Sequence, residues 1–405
     1  MSVRMRVASR PEHEVLVCCA RSRLRPEDEQ RLRALASGRI DWVYLMSAAD
    51  RHGMTPLVSW HLKGACPEFV PSLLRSRLKT FFSRNQARNL FLSAELARLL
   101  AALGDAGVRA VPFKGPLLAE LAYGSVALRE FQDLDVLVHQ QDWTRAEKIM
   151  LSNGYTRDLR LTPAQEVYFR RLQHAHSFTG AGGRGIVERH WSLASRYFHY
   201  PVDSDRLWQR VETVRFAGAE ILTLAPADLV VILCAHGAKH LWERLEWVAS
   251  VAELIRACDA LDWPGILAEA RRLGGERMVL LGALLARELL DAPVPESVVE
   301  QARATRRVAP LAGKIVGRFF AEGAHPPSTA ESCAFRLRLM DRMRDGVLCA
   351  LRPAFIPDVA DWQLLSLPSS LYFLYYPLRV LRLTAKYASS LFPAWSVVTA
   401  SRRSS

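Results

Sequence analysis

The chain is 405 residues long, half of them hydrophobic and 23% charged, with a formal net charge of +13. That length exceeds one ordinary compact core, so two or three folding units are expected, and the composition excludes a disordered chain. Only seven of the 54 basic residues are lysine, and the arginines are scattered. The charge permits contact with nucleic acid or an anionic membrane, but no nucleic-acid module or aromatic-interleaved basic patch accompanies it.

The cysteines (Cys18, Cys19, Cys66, Cys234, Cys258, Cys333 and Cys349) show no Cys-x₂-Cys pair and no zinc-like Cys/His spacing. That argues for reduced thiols. Residues 1–10 lack the apolar core of a signal peptide, and no charge-free apolar run reaches the length of a membrane span. A cytoplasmic protein is expected, with a peripheral location at the inner membrane as the alternative.

Residues 1–105 read as an N-terminal helical region. Leu92, Leu96, Leu99, Leu100 and Leu103 recur at spacings of three and four, which makes one apolar helical stripe. Asp41-Trp42 opens another helix, closed by the stretch from Arg51-His52-Gly53 to Pro56. The period changes at Gly107. Val108 to Phe113 reads as a short strand running into Lys114-Gly115, and Pro116 suits the first turn of a helix that ends at Tyr123-Gly124-Ser125. Phe131 to Val138 reads as a strand, Trp143 to Leu151 as a helix closed by Asn153-Gly154, and Gly185 to Trp191 as a third strand after a glycine-rich turn from Gly180. The fold class is therefore α+β: a small mixed-sheet core over residues 106–225, embedded in a mainly helical chain.

Helices resume at Pro226, in a run carrying His236, Lys239, His240 and Trp247, and continue to about 320. Breaks at Pro293-Val294-Pro295 and His325-Pro326-Pro327 suggest a helical domain at 226–325 and a C-terminal helical segment at 326–405, with Pro326 to Ser332 as the linker. In that last segment Trp362 to Leu378 carries no charge and precedes Arg379, Arg382 and Lys386. This is the pattern of an amphipathic helix on an anionic membrane surface. Pro368 and Pro377 interrupt it, and packing against the protein body is the simpler reading.

Chemistry concentrates at Asp133-Leu134-Asp135, just ahead of Val136-Leu137-Val138. Residues two apart on a strand share a face, so both carboxylates point the same way. Mg²⁺ takes oxygen ligands, usually one or two carboxylates plus substrate phosphates. Asp-x-Asp alone is an ordinary solvated strand end. Lys114-Gly115 changes its meaning, because it places a flexible turn and a cation before a helix start, where free amides favour phosphate. Two metal ions generally need a third carboxylate, and Glu188 on the next strand is the candidate, with His190 on the same face. Such a set suits phosphoryl or nucleotidyl transfer, which needs in-line geometry and neutralised charge.

His236 and His240 lie one helical turn apart with Lys239 between them, a spacing that can bind a metal but lacks a third ligand nearby. Lys239 or His240 could instead grip a triphosphate tail, or these could be hydrogen-bonded, partly buried helix residues. His174 and His176 would alternate onto one face near the site.

The segment resembles the nucleotidyltransferase superfamily typified by DNA polymerase β, in the branch with Lys-Gly, a helix, Arg and Asp-x-Asp, and also the abortive-infection nucleotidyltransferase toxins. More closely, the chain resembles the bacterial uncharacterised nucleotidyltransferase family, often found beside peptide or exopolysaccharide biosynthesis genes. The likeness covers Asp41-Trp42, Arg51-His52-Gly53, Phe113-Lys114-Gly115, Asp133 to Val138, Val187 to Trp191, His236 to His240, Leu245-Glu246-Trp247, Leu367-Pro368 and Tyr376 to Arg379.

The resemblance implies Asp133, Asp135 and Glu188 as catalytic carboxylates and metal ligands for two Mg²⁺ ions, with Mn²⁺ as an alternative. It implies Lys114 and Gly115 as the phosphate-handling turn and Arg129 as a phosphate or structural partner. Where it leads one to expect an Asp three residues after Trp247, Ser250 stands. The implied reaction moves a nucleoside monophosphate from an NTP such as ATP to an acceptor hydroxyl on a small molecule, peptide or saccharide, favoured over RNA. The rivals are a catalytically silent nucleotide-binding or scaffold protein of a biosynthetic cluster, and an RNA-directed, toxin-like transferase. Intact carboxylates favour the enzyme, since three converging negative charges destabilise a protein that holds no metal.

Overall fold

Five helices open the chain: α1 (Pro11–Cys19), α2 (Pro26–Ala36), α3 (Trp42–Arg51), α4 (Thr55–Ala65) and the long α5 (Ser72–Asp105). The computed structural model describes residues 10–183, 185–193, 204–321, 327–365 and 367–391. Asp41 caps α3 by accepting the Tyr44 N–H at 2.9 Å. The leucine stripe of α5 is buried against one face of the sheet, in a core shared with Leu134, Val136, Phe178 and Val187. From the same helix Asn85 and Asn89 donate their side-chain amides to the carbonyls of Val126, Ala127 and Arg129 at 2.7–3.1 Å. Those bonds fix the loop that enters the acidic strand.

The core contains β1 (Ala110–Pro112), α6 (Gly115–Tyr123), β2 (Asp133–Val138), α7 (Trp143–Ser152), β3 (Tyr155–Arg157), α8 (Pro163–Leu172), β4 (Ala175–Gly180) and β5 (Ile186–His190). The strand order is β1-β2-β5-β4-β3. Only β2 and β5 run parallel, and the other neighbours are antiparallel. The mixed sheet and its three anticipated strands are present; β1 and β5 are one or two residues shorter at each end than the sequence pattern suggests, and β2 starts two residues later but ends at Val138 as expected. Strands β3 and β4 were not anticipated. Nor was the hairpin of β6 (Glu212–Phe216) and β7 (Ala219–Thr223), which follows α9 (Ser204–Gln209). Part of the glycine-rich turn, Arg184, lies outside the described residues.

Helices then continue as α10 (Pro226–Lys239), α11 (Leu245–Ala257), α12 (Trp263–Leu273), α13 (Glu276–Leu290), α14 (Glu296–Ala304) and α15 (Val308–Phe319). The run from Pro226 is not one helix. It breaks after Lys239, where Leu241 and Trp242 take left-handed backbone conformations, so His240 is a helix cap. Side chains of α1–α4 and of α10–α15 share one hydrophobic core.

The last elements are α16 (Thr329–Leu339), α17 (Met343–Phe355), α18 (Val359–Leu364) and α19 (Tyr375–Leu391). The expected linker is shorter than its sequence suggests: Ser328 caps α16 in a reciprocal box with Glu331, while His325 and Pro326 lie outside the described residues. Trp362, Tyr372 and Tyr375 pack on Phe169 of α8. Arg379 and Arg382 turn inward to Asp361 at 3.1 and 2.6 Å, so neither is a free surface cation; the Lys386 side chain lies outside the described residues. Among the described residues no helix is long and apolar enough to cross a membrane.

Candidate active site

Parallel pairing of β2 with β5 sets Asp135 opposite Glu188 and Leu137 opposite His190. Side chains two apart share a face, so Asp133, Asp135, Glu188 and His190 all converge on one side of the sheet. The His190 Nε2 lies 2.9 Å from Asp135 Oδ1 and 3.4 Å from Glu188 Oε2. Asp135, Glu188 and His190 form the group of side chains close enough to share a metal ion. The Lys114 ammonium reaches Asp135 Oδ1 at 3.3 Å.

Lys114 stands at the start of α6 in an extended conformation, and the next residue, Gly115, has a φ of +56°. A Cβ there would sit 3.1 Å from the Asp133 carbonyl oxygen. Glycine therefore lets the helix start press directly on the acidic strand.

The electrostatics of the two aspartates differ in sign. Burial pushes the Asp135 carboxyl up, but Lys114 and His190 outweigh it and hold the group far below the usual carboxylate range. Asp133 is pushed up by burial and by the charges of Asp135 and Glu188. The hydrogen bond from His190 lowers Glu188. Burial disfavours charge on His190, yet its bonds to Asp135 and Glu188 prevail and raise its pKa.

Opposite the sheet, α10 presents His236, Lys239 and His240. Burial keeps His236 and His174 neutral, with Lys114 and Lys239 acting in the same direction. Burial with Lys239 and Lys114 lowers His240 to about 4. The His236 and His240 rings are 4.7 Å apart, and both face Trp247 of α11, at 5.8 and 5.2 Å. With Lys114 and Lys239 nearby and no third ligand among the described residues, this pair makes a poor zinc site.

Lys114, Gly115, Arg129, Asp133, Asp135, Glu188, Lys239 and His240 all line a single cavity of about 450 Å³. One expectation fails. His176 pairs with Arg189, on the face of the sheet opposite Glu188 and His190, and binds Glu166 at 2.9 Å. Only His174, at a bend just before β4, faces the site, its ring 5.4 Å from that of His190.

The same cavity is also lined, beside Arg129, by Glu130, Arg244, Glu246 and Ser250, which the sequence pattern does not single out as site residues. Arg244 pairs with Glu246 at 3.2 Å. Burial raises both Glu246 and Glu130. Glu130 Oε1, Arg244 Nε, and Arg129 Nε and Nη1 are buried without a hydrogen-bond partner among the described residues. The signal lay in Arg129-Glu130 and Arg244-Leu245-Glu246, charged pairs flanking helix and strand starts. Ser250, where an Asp was anticipated, donates to the Glu246 carbonyl at 2.8 Å and lies 3.1 Å from the Tyr123 hydroxyl, an arrangement that joins α11 to α6.

Carboxylates converge here from two parallel strands, beside a lysine-led helix start, in a mixed sheet embedded in helices. The family of uncharacterised nucleotidyltransferases matches residues 38–291, and the chain belongs to it. No curated protein matches the chain.

Proposed function

We propose that the protein transfers a nucleoside monophosphate from an NTP to an acceptor hydroxyl. The acceptor oxygen bonds to the α-phosphorus, the bond from that phosphorus to the bridging oxygen breaks, pyrophosphate leaves with the electron pair, and the hydroxyl proton passes to water. The observation that carries this reading is the register that sets Asp135 beside Glu188, with the Lys114 ammonium on Asp135 Oδ1.

The donor set fits hard divalent cations: it is all oxygen apart from His190, and Asp133 is raised by the repulsion of its two acidic neighbours. Asp133, Asp135 and Glu188 would hold two Mg²⁺ ions, or Mn²⁺, which when bound neutralise charge on the triphosphate. His190 positions both carboxylates. Lys114, the amides at the start of α6, Arg129, Lys239 and His240 bind phosphate, and the His236–His240–Trp247 wall accepts a base such as that of ATP. The part of the cavity wall formed by Glu130, Arg244 and Glu246 takes the acceptor. Its buried Glu130 Oε1 and Arg244 Nε are free to accept from and donate to a hydroxyl-bearing acceptor, which suits a small molecule, peptide or saccharide.

One observation favours the silent, nucleotide-binding alternative: Lys114 and His190 already counter the carboxylates without any ion. Thermal unfolding with each NTP, with and without Mg²⁺, separates the two. The enzyme reading expects Mg²⁺-dependent stabilisation that vanishes when Asp133→Asn and Asp135→Asn are combined. The silent reading expects NTP stabilisation that needs no metal and survives in that variant. No response to any NTP at millimolar concentration overturns both.

A further inference from the structure

Helices α15, α16 and α17 enclose a groove of about 560 Å³ far from the acidic strands in sequence. Its charged lining is Arg306, Arg307, Lys314 and Arg338, all exposed. Among the described residues no acidic side chain lines it. On the neighbouring segments Asp341 accepts the backbone N–H groups of Glu276 and Arg277 at 2.7 and 3.0 Å, and Glu331, which caps its own helix, is the acid within electrostatic reach of Lys314. Such a groove attracts an anion.

Met343 closes one end of the groove and begins a ridge along α17. Met343, Val347, Leu351 and Phe355 are 73, 41, 50 and 52% exposed. Spaced four apart, they fall within about 120° of the helix circumference. The inner face of the same helix is buried through Asp345 and Cys349. Here an apolar ridge adjoins a cluster of four exposed cations, of which Arg307 also donates to the Leu337 carbonyl at 3.3 Å.

We propose that this groove and ridge dock onto an anionic phospholipid bilayer, the cations meeting headgroups and the four apolar side chains entering the acyl boundary. The combination separates a membrane from nucleic acid, which would leave the ridge in water. It also relocates membrane contact from the C-terminal helix, whose Arg379 and Arg382 are held by Asp358 and Asp361. Leu337 and Arg338 line the groove, while their neighbour Arg336 lies within electrostatic reach of Lys239 and His240.

The test is co-sedimentation of the full chain with extruded vesicles of phosphatidylcholine alone or mixed with phosphatidylserine. Binding is expected only to the mixed vesicles, and to fall in high salt. Combining Lys314→Glu with Arg338→Glu should weaken partitioning by about 25-fold or more, since each surface cation contributes about fivefold. Combining Met343→Ser with Leu351→Ser should do likewise, with an unchanged melting temperature because both side chains are exposed. Asp133→Asn with Asp135→Asn should bind vesicles like the wild type, which keeps the result independent of the catalytic reading. The proposal is overturned if mixed vesicles are not bound or if binding survives both surface pairs. It is equally overturned if the ridge pair changes only the oligomeric state, or the groove pair only RNA binding.

Discussion

Asp133 and Asp135 share a chain, a strand and a face, yet their contributions to stability should have opposite signs. Asp135 is buried between the Lys114 ammonium and the His190 ring, so its charge is matched. Asp133 is pushed up by burial and by two like charges, so at neutral pH its ionised form is a strain on the metal-free protein. Asp133→Asn should therefore stabilise the protein by about 1 kcal/mol in a chelator, while Asp135→Asn destabilises it by about 3 kcal/mol through an uncompensated buried partner. Urea denaturation in EDTA measures both, and two shifts of the same sign would refute the assignment. Adding Mg²⁺ should stabilise the wild type and neither variant. These residues were legible because a strand's two-residue period fixes which carboxylates converge, and Lys-Gly ahead of an apolar helix marks a tight helix start. Glu130 and Glu246 were not legible as site members, because the Arg244-Leu245-Glu246 pair is local but the approach of Arg244 to Glu130 that joins them is a tertiary contact.

Elements that carried an apolar signature could be read; those whose buried face is polar could not. Strand β4 has Phe178 as its one large apolar residue, and its other buried side chain is His176, held by Glu166 and stacked on Phe169 at 4.5 Å. Nothing in Ala-His-Ser-Phe-Thr-Gly announces that. The β6–β7 hairpin did leave a signal, Ala217-Gly218, whose residues both take positive φ as a two-residue turn requires. The end of α10 is the most consequential surprise. After Lys239 the chain turns left-handed through Leu241 and Trp242, and the Trp242 N–H returns to the Gly237 carbonyl at 2.8 Å. That throws the indole back across the helix, where a Cβ on Gly237 would stand 2.6 Å from its ring. Gly237→Ala must displace a fully buried Trp242, for about 2 kcal/mol of overpacking. The same shift moves Lys239 and His240, so NTP stabilisation should fall along with the urea midpoint. A lowered midpoint with unchanged NTP response would show that the turn does not position those side chains.

At the scale of the whole molecule, the helices before the sheet and those after it close a common core, which no local pattern could reveal. Periodicity reports that a face is apolar but not which distant face it meets. His52 is one of the ties across that distance. Its Nε2 donates to the Phe319 carbonyl at 3.0 Å at the end of α15, and its Nδ1 accepts the Leu245 N–H at 3.3 Å at the start of α11. Both ring nitrogens are thus committed in the neutral form, and a proton added at Nδ1 would face an N–H. Burial accordingly lowers His52 to about 4, below its unfolded value near 6.5. The unfolded chain binds this proton first as pH falls, so the stability His52 contributes is complete above about pH 6.5, shrinks below it, and stops changing below about pH 4. Between about pH 7.5 and about pH 5 the loss should be about 2 kcal/mol. Gln at this position can donate to Phe319 and accept from Leu245 without titrating. His52→Gln should therefore be somewhat less stable than the wild type at the higher pH and close that gap, or invert it, at the lower one. Urea midpoints measured at both pH values decide the matter, and a stability difference that stays constant with pH would mean that His52 is not the titrating tie between the two ends of the core.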